Sequence, residues 1–203
     1  AAFFMFAPAY FERDMNVVDG KPLPEITDEA QALHATLNIV DLHSDTLLWK
    51  RDMLERADRG QMDLPRLQQG NVALQVFSSV TKTPTNQNYD NNSADGDNIT
   101  ALVIGQLQPV RTWNSLLERS LFHAQKLDRA VRLSDGELQQ VTTARNIEAT
   151  LQARAGGAQQ TGAMLSIEGL HNLEGNPDNI DTLYDAGFRM ASLTQFFDNE
   201  MAG

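Results

Sequence analysis

At 203 residues the chain is long enough to bury one substantial core, and a single domain is the natural expectation. Hydrophobic residues at 41% and charged residues at 21% exclude a disordered chain, and a net charge of −11 without a basic stripe argues against a nucleic-acid partner and against attraction to an anionic membrane surface. Cysteine is absent, which rules out disulfides, thiolate metal sites and a cysteine nucleophile, so any metal must be held by His, Asp or Glu.

The chain opens on AAFFMFA, an apolar run far short of the about 20 residues a membrane span needs. It has two readings: a flap packed on the domain, or the remnant of a signal peptide or membrane anchor, which would place the protein outside the cytoplasm, in the periplasm or on a membrane. DGKPLPEITD (19–28) is a linker, so residues 1–27 form an extension and 28–203 the domain. Thr27 or Asp28 can cap a helix over 28–37, with Asp28 and Glu29 at its positive end. A first strand over 38–43 and a helix over 46–58 follow. VALQVFSSV (72–80) is β-branched and apolar and predicts a second strand. The stretch 81–98, rich in Asn and Asp, is a long irregular excursion. Beyond it Trp113, Leu116, Leu117, Leu121, Ala124, Leu127 and Val131 recur at helical spacing and form one core-facing stripe. A short extended piece (138–143), a helix (144–155), a third main strand (162–169), a helix (177–186) ended by Gly187 and a fourth main strand (188–195) complete the pattern. Near-continuously apolar strands alternating with helices imply a parallel sheet, either a (β/α)8 barrel or a doubly wound sheet. No Gly-rich phosphate loop follows a strand, which weakens the nucleotide-binding kind.

NIVDLHSDTLLWK (38–50) places His43 and Asp45 two apart at the end of the first strand, where both project to one face. In a barrel that end is the mouth where chemistry sits. Imidazole with carboxylate suits zinc or another borderline divalent ion; the plainer reading is that Ser44 or Asp45 caps the next helix and His43 bonds locally. Glu168 closes the third main strand in LSIEG, and a carboxylate there is costly to bury without a cation or hydrogen bonds. Its plainer reading is a salt bridge to an arginine.

DLHSDTL, MDLPRLQQGNVALQVFSSV, LSIEGLHNLEGN and AGFRMASLTQFFDN, in that order, resemble the membrane dipeptidase (renal dipeptidase) family of zinc peptidases, peptidase family M19. The resemblance implies an α/β fold of the (β/α)8 TIM-barrel type, a metal-dependent hydrolase with a two-zinc site. His43 and Asp45 match the ligands of the first ion and Glu168 the carboxylate that bridges both. The implied reaction is hydrolysis of a dipeptide by a metal-activated water, with a D-residue tolerated at the C-terminal position, so bacterial cell-wall dipeptides are expected substrates. Gln195 stands where the family pattern has a substrate-contacting histidine. The family's two further histidine ligands and its catalytic aspartate lie on later strands, so this chain is expected to be the N-terminal half of the barrel, with apolar surface and sheet edges exposed.

His171, three residues after Glu168, is a second candidate for the substrate side, beside Gln195. His123 and His34 are expected to be structural or solvent-facing, and Asp198 and Asn199 either line the mouth or form a turn. No G-x-S-x-G elbow surrounds the serines, against a serine hydrolase. A membrane anchor at the N-terminus and a homodimer stay open as partner readings. Two alternatives to the zinc dipeptidase stand: another amidohydrolase acting on a small or cyclic amide, and a non-catalytic binding or scaffold homologue.

Overall fold

Two strands rich in β-branched and apolar residues, β2 (Val72–Ser79) and β4 (Thr161–Ile167), pair in parallel from Leu74↔Gly162 to Ser79↔Ile167 and form the spine of the molecule. The computed structural model describes residues 2–203; Ala1, the first of the apolar run, lies outside them. β1 (Ile39–Asp41) pairs in parallel with the outer edge of β2. The other edge of β4 is shared: β3 (Leu138–Gln140) pairs with its start, Thr161–Ala163, and β5 (Phe188–Ala191) with its end, Leu165–Ile167. The main strands therefore lie side by side in chain order. That is the order of a barrel wall and not of a doubly wound sheet, whose order reverses at a switch point.

Alternation sorts the strand residues. Phe77 and Leu165 point to the helical layer, where they meet Leu127 of α5 (Leu116–Leu133) and Leu183 of α7 (Asn179–Asp185) in the main core. The stripe predicted for α5 holds in outline: Ala124 and Leu127 are buried, and Leu117, Leu121 and Val131 pack against the same core. Trp113 lies before the helix and packs in a second cluster with Leu48, Trp49 and Val80. The expected helices over 28–37 and 144–155 are α2 (Asp28–Thr36), capped by Thr27, and α6 (Ala144–Ala155), closed by a Thr143–Asn146 capping box.

Two stretches differ from expectation. The helix expected over 46–58 is one 3-10 turn, Thr46–Leu48, followed by loop. Leu47 belongs to the main core whereas Leu48 and Trp49 belong to the second cluster, so consecutive side chains are buried in opposite directions, which a helix with one apolar face cannot do. The loop is held by side chains instead: Asp63 accepts from Ala57 and Arg66 while capping α3 (Leu64–Gln69), and the Arg51 guanidinium donates to Arg59 O and Thr46 Oγ1. Conversely, α4 (Asn98–Gly105) follows directly on the polar excursion, capped by Asp97, with Ile99 and Val103 buried one turn apart.

The N-terminal run forms helix α1 (Ala2–Met15), joined to the rest of the chain through its C-terminal half. Glu12 is buried against Arg51 and Arg59, Arg13 pairs with Asp58, and Gly60 N donates to Asn16 O. Phe3, Met5, Phe6 and Tyr10 remain exposed, as do Val40 and Leu42 by β1 and Met190 and Leu193 by β5. No helix among the described residues is long and apolar enough to cross a membrane.

Arg119, 1% exposed, ties the layers together. It donates to Thr81 O after β2, to Asp97 and Thr100 of α4, and to Thr112 O and Trp113 O before α5. Burial opposes ionisation of Asp97, but hydrogen bonds from Arg119, Thr100 and Ile99 outweigh it and hold its carboxyl below the usual range. Arg119→Met removes the cation paired with the Asp97 carboxylate and the donors to three carbonyls. It should cost about 3–5 kcal/mol in urea unfolding, and Arg119→Lys should recover only part of this because an ammonium lacks the planar fork. A loss below about 1 kcal/mol would show that these bonds are dispensable.

Candidate metal centre

β1 ends at Asp41, whose carboxylate accepts from His43 N (3.0 Å) and turns the chain out of the sheet. Ser78 N of β2 donates to Ser44 O (2.9 Å), which fixes the His43–Asp45 turn against the neighbouring strand. The plainer reading, a helix cap, fits Ser44, whose Oγ accepts from Thr46 N. The Asp45 carboxylate makes no capping bond and is left for another use. Two strands away Glu168 N donates to Ser79 O, so the glutamate leaves β4 at the same end of the sheet. Gly169 follows at φ +79°, and a Cβ there would lie 2.6 Å from His171 Nδ1 and 2.9 Å from Gln195 Cβ, so glycine is needed both for the turn and for the close approach.

These turns bring three ligand types together. His43 Nε2 lies 2.7 Å from Glu168 Oε1 and 3.1 Å from Asp45 Oδ1, and the three ligand atoms fall within 4.8 Å of one another. Asp45 Oδ1 and Glu168 Oε1 are both sealed from solvent and lack an aligned hydrogen-bond donor. Buried carboxylate oxygens without donors are costly, and a shared cation is the partner that satisfies both. The donor set, one imidazole and two carboxylates without sulfur, fits a borderline divalent ion such as zinc. The expected alternative of an arginine partner does not describe Glu168; no arginine pairs with it among the described residues. Burial and the adjacent Asp45 carboxylate push its carboxyl up to about 7, against the weaker pull of His43 and Ser78.

The remaining candidates separate. Gln195, half-buried, donates Nε2 to Glu168 Oε2 at 2.7 Å. His171 is not in the group. It is buried, with Nε2 3.0 Å from Thr81 Oγ1 and its ring against Phe197, and it lines a separate cavity of about 380 Å³ with Lys82, Glu174, Asp198 and Asn199. His43 and Asp45 line a larger cavity of about 670 Å³, bounded also by Trp49, Arg51 and Thr83 and by Met15 and Asn16 at the end of α1. His34 is half-buried on α2. His123 is fully enclosed, with Nδ1 2.9 Å from Ser79 Oγ; a serine–histidine pair sealed in this way has no route to substrate.

Sequence reasoning set Ser78 aside as a nucleophile and passed over Ser166; the two lie opposite each other on β2 and β4 and bond Oγ to Oγ at 2.7 Å. Ser166 stands two residues before Glu168 and so on its face of the strand, a signal already present in LSIEG.

A parallel α/β sheet whose main strands lie in chain order, alternating with helices, defines the chain as part of an α/β barrel wall. The profile of the family described as "Membrane dipeptidase (Peptidase family M19)" matches residues 27–203, and the chain belongs to that family. No curated protein sequence matches significantly. Among solved structures the chain is similar to a Rhodobacter sphaeroides metallopeptidase crystallised with a phosphinate mimic of the dipeptide L-Ala-D-Ala (18% identity, TM-score 0.57, 81% of this chain and 47% of that one). It is also similar to a metallopeptidase of family M19 described as dipeptidase AC (18%, TM-score 0.53, 81% and 44%). A third is the probable dipeptidase PvdM from Pseudomonas aeruginosa (12%, TM-score 0.56, 84% and 38%). The chain thus spans less than half the length of these structures.

Burial holds His123 down at about 3, helped by Lys126 and Arg119, and holds His171 down at about 4, helped by Lys82. Both imidazoles titrate near 6.5 once unfolded. Between about pH 6.5 and 4 the unfolded chain therefore binds two imidazole protons that the folded protein does not, which lowers stability as pH falls and outweighs the opposite contribution of the single raised Glu168 carboxyl. Urea midpoints from pH 7.5 to 5 should show this fall, and His123→Gln or His171→Gln should each make it shallower, by at most about 1.4 kcal/mol per pH unit. Unchanged slopes in both variants would mean that neither imidazole is held neutral.

Proposed function

We propose that the chain carries the first metal site of a zinc-dependent dipeptidase, with His43, Asp45 and Glu168 as the ligands. The observation that carries this reading is the convergence of two solvent-sealed, donorless carboxylate oxygens on one imidazole nitrogen, at 2.7 and 3.1 Å. Membership of a peptidase family supports a peptide substrate. The phosphinate dipeptide mimic bound by the Rhodobacter enzyme supports a dipeptide with a D-residue at its C-terminal end.

A bound divalent ion supplies acidification of a water and polarisation of the scissile carbonyl. The chain's own residues do the rest. His43 offers a neutral nitrogen to the ion. Asp45 and Glu168 would bring the negative charge that selects a dication. The cavity of about 670 Å³ beside His43 and Asp45 is of the size that small-ligand sites have and would receive the substrate. His171 and Gln195 were the candidate substrate contacts; His171 faces the second cavity, and we assign it no role at the ion. An extracytoplasmic location, periplasmic or membrane-anchored, accords with the family's name and with the exposed apolar side of α1.

The test is zinc content per chain by elemental analysis, with hydrolysis of a dipeptide panel that includes L-Ala-D-Ala. His43→Ala and Glu168→Ala should each reduce bound zinc at least tenfold at limiting metal. Zinc content untouched by both substitutions would sink the ligand assignment. Zinc lost without any dipeptide being cleaved by the whole protein would leave a metal-binding homologue in place of an enzyme.

A further inference from the structure

The position occupied by Gln195 was expected to face substrate. In the structure its amide is bonded to Glu168 Oε2, and the segment that carries it is fastened to the turn after Glu168. Gly169 N donates to Ser192 Oγ (2.9 Å) and Leu170 N donates to Leu193 O (3.0 Å), so the exits of β4 and β5 run as one bonded unit. The Gly169 Cα passes so close to Gln195 that a Cβ would meet Gln195 Cβ at 2.9 Å. Gln195 thus reaches Glu168 from an anchored backbone.

A carboxylate only accepts, so the amide presents its NH2 group, and the contact is a charge-assisted hydrogen bond. It divides the labour of the two carboxylate oxygens. Oε2 accepts from Gln195 with one of its lone pairs, while Oε1, which has no donor among the described residues, is turned toward His43 Nε2 and Asp45. Without the amide the Glu168 side chain can rotate and present either oxygen, or neither, to the ion.

We propose that Gln195 is a positioning residue of the metal centre: by holding Glu168 Oε2 it fixes Oε1 in the one orientation that completes the site with His43 and Asp45. This rests on the metal reading above and gives Gln195 a task that needs no substrate. Partners that orient ligating carboxylates in this way typically contribute 10–100-fold in metal affinity.

The experiment is a competition titration of zinc against a chromophoric chelator, on the intact chain with no substrate present. It compares the wild type with Gln195→Leu, which keeps the bulk and removes the donor, and with Gln195→Ala. Thermal unfolding of chelator-treated samples serves as the fold control. The expected result is zinc affinity 10–100-fold weaker in both variants, with midpoints of the chelator-treated proteins within about 2 °C of wild type. Affinity within twofold of wild type in either folded variant overturns the proposal, and a higher KM for dipeptide in that variant would return Gln195 to a substrate contact. A wild type that takes up no zinc removes the metal reading itself and this inference with it.

Discussion

Everything at the strand ends depends on the burial of one carboxylate. Glu168 is 6% exposed, no lysine or arginine among the described residues pairs with it, and Asp45 lies close enough to raise its proton affinity further. Such a group is tolerated in three ways: it takes a proton, it is hydrogen-bonded, or it meets a cation. The chain supplies one hydrogen-bonded oxygen and leaves the other facing an imidazole and a second carboxylate. Placing two acids and a histidine so close, without a lysine or arginine to balance them, is a poor way to stabilise a fold and a good way to hold a divalent ion.

The scaffold that permits this is a set of parallel strands in which the β2 exit is fixed from the helical side and the neighbouring exits are bonded to one another. Arg119 saturates the backbone where β2, α4 and α5 meet, and the Ser79, His123, Ser120 and Asn172 side chains form a bonded polar cluster beneath it. The cluster ties the β2 exit to α5 and to the turn after Glu168, and that exit borders both the His43 turn and the Glu168 turn. Asp63 does comparable work on the far side, closing the loop that follows the 3-10 turn at Thr46.

The parts that were legible in the sequence share a physical feature: their side chains are sorted by local periodicity. β2 and β4 read correctly because both of their faces are covered, and α6 because Thr143 and Asn146 form a box visible in four consecutive residues. His43, Asp45 and Glu168 were found as candidates because a polar residue closing an apolar strand has to be explained, and the structure brings the three together. What failed locally was residues 46–58, where Leu47 and Leu48 serve different clusters, and α4, whose start is masked by the polar stretch before Asp97. The bond from Gln195 to Glu168 spans 27 residues and exists only because two loops run side by side; no periodicity announces it. The same holds for the turn of His171 toward Thr81 and away from the ligand group.

The divided edge of β4 has a consequence of its own. Its lower half is wedded to β3 and its upper half to β5, so the base of the wall and its rim answer to different stretches of chain. A slip in the segment from Leu138 through α6 meets the base directly and reaches the Ser166–Ile167 rim, from which Glu168 emerges, by way of β5, whose Arg189 Nε donates to Thr142 O (2.9 Å). Drift in the β5 exit, by contrast, is passed directly to Glu168 through Ser192, Leu193 and Gln195. The Glu168 turn is thus coupled to the base only through β5 but to the β5 exit by direct bonds, which makes that exit the place where the ligand group can be retuned without rebuilding the wall.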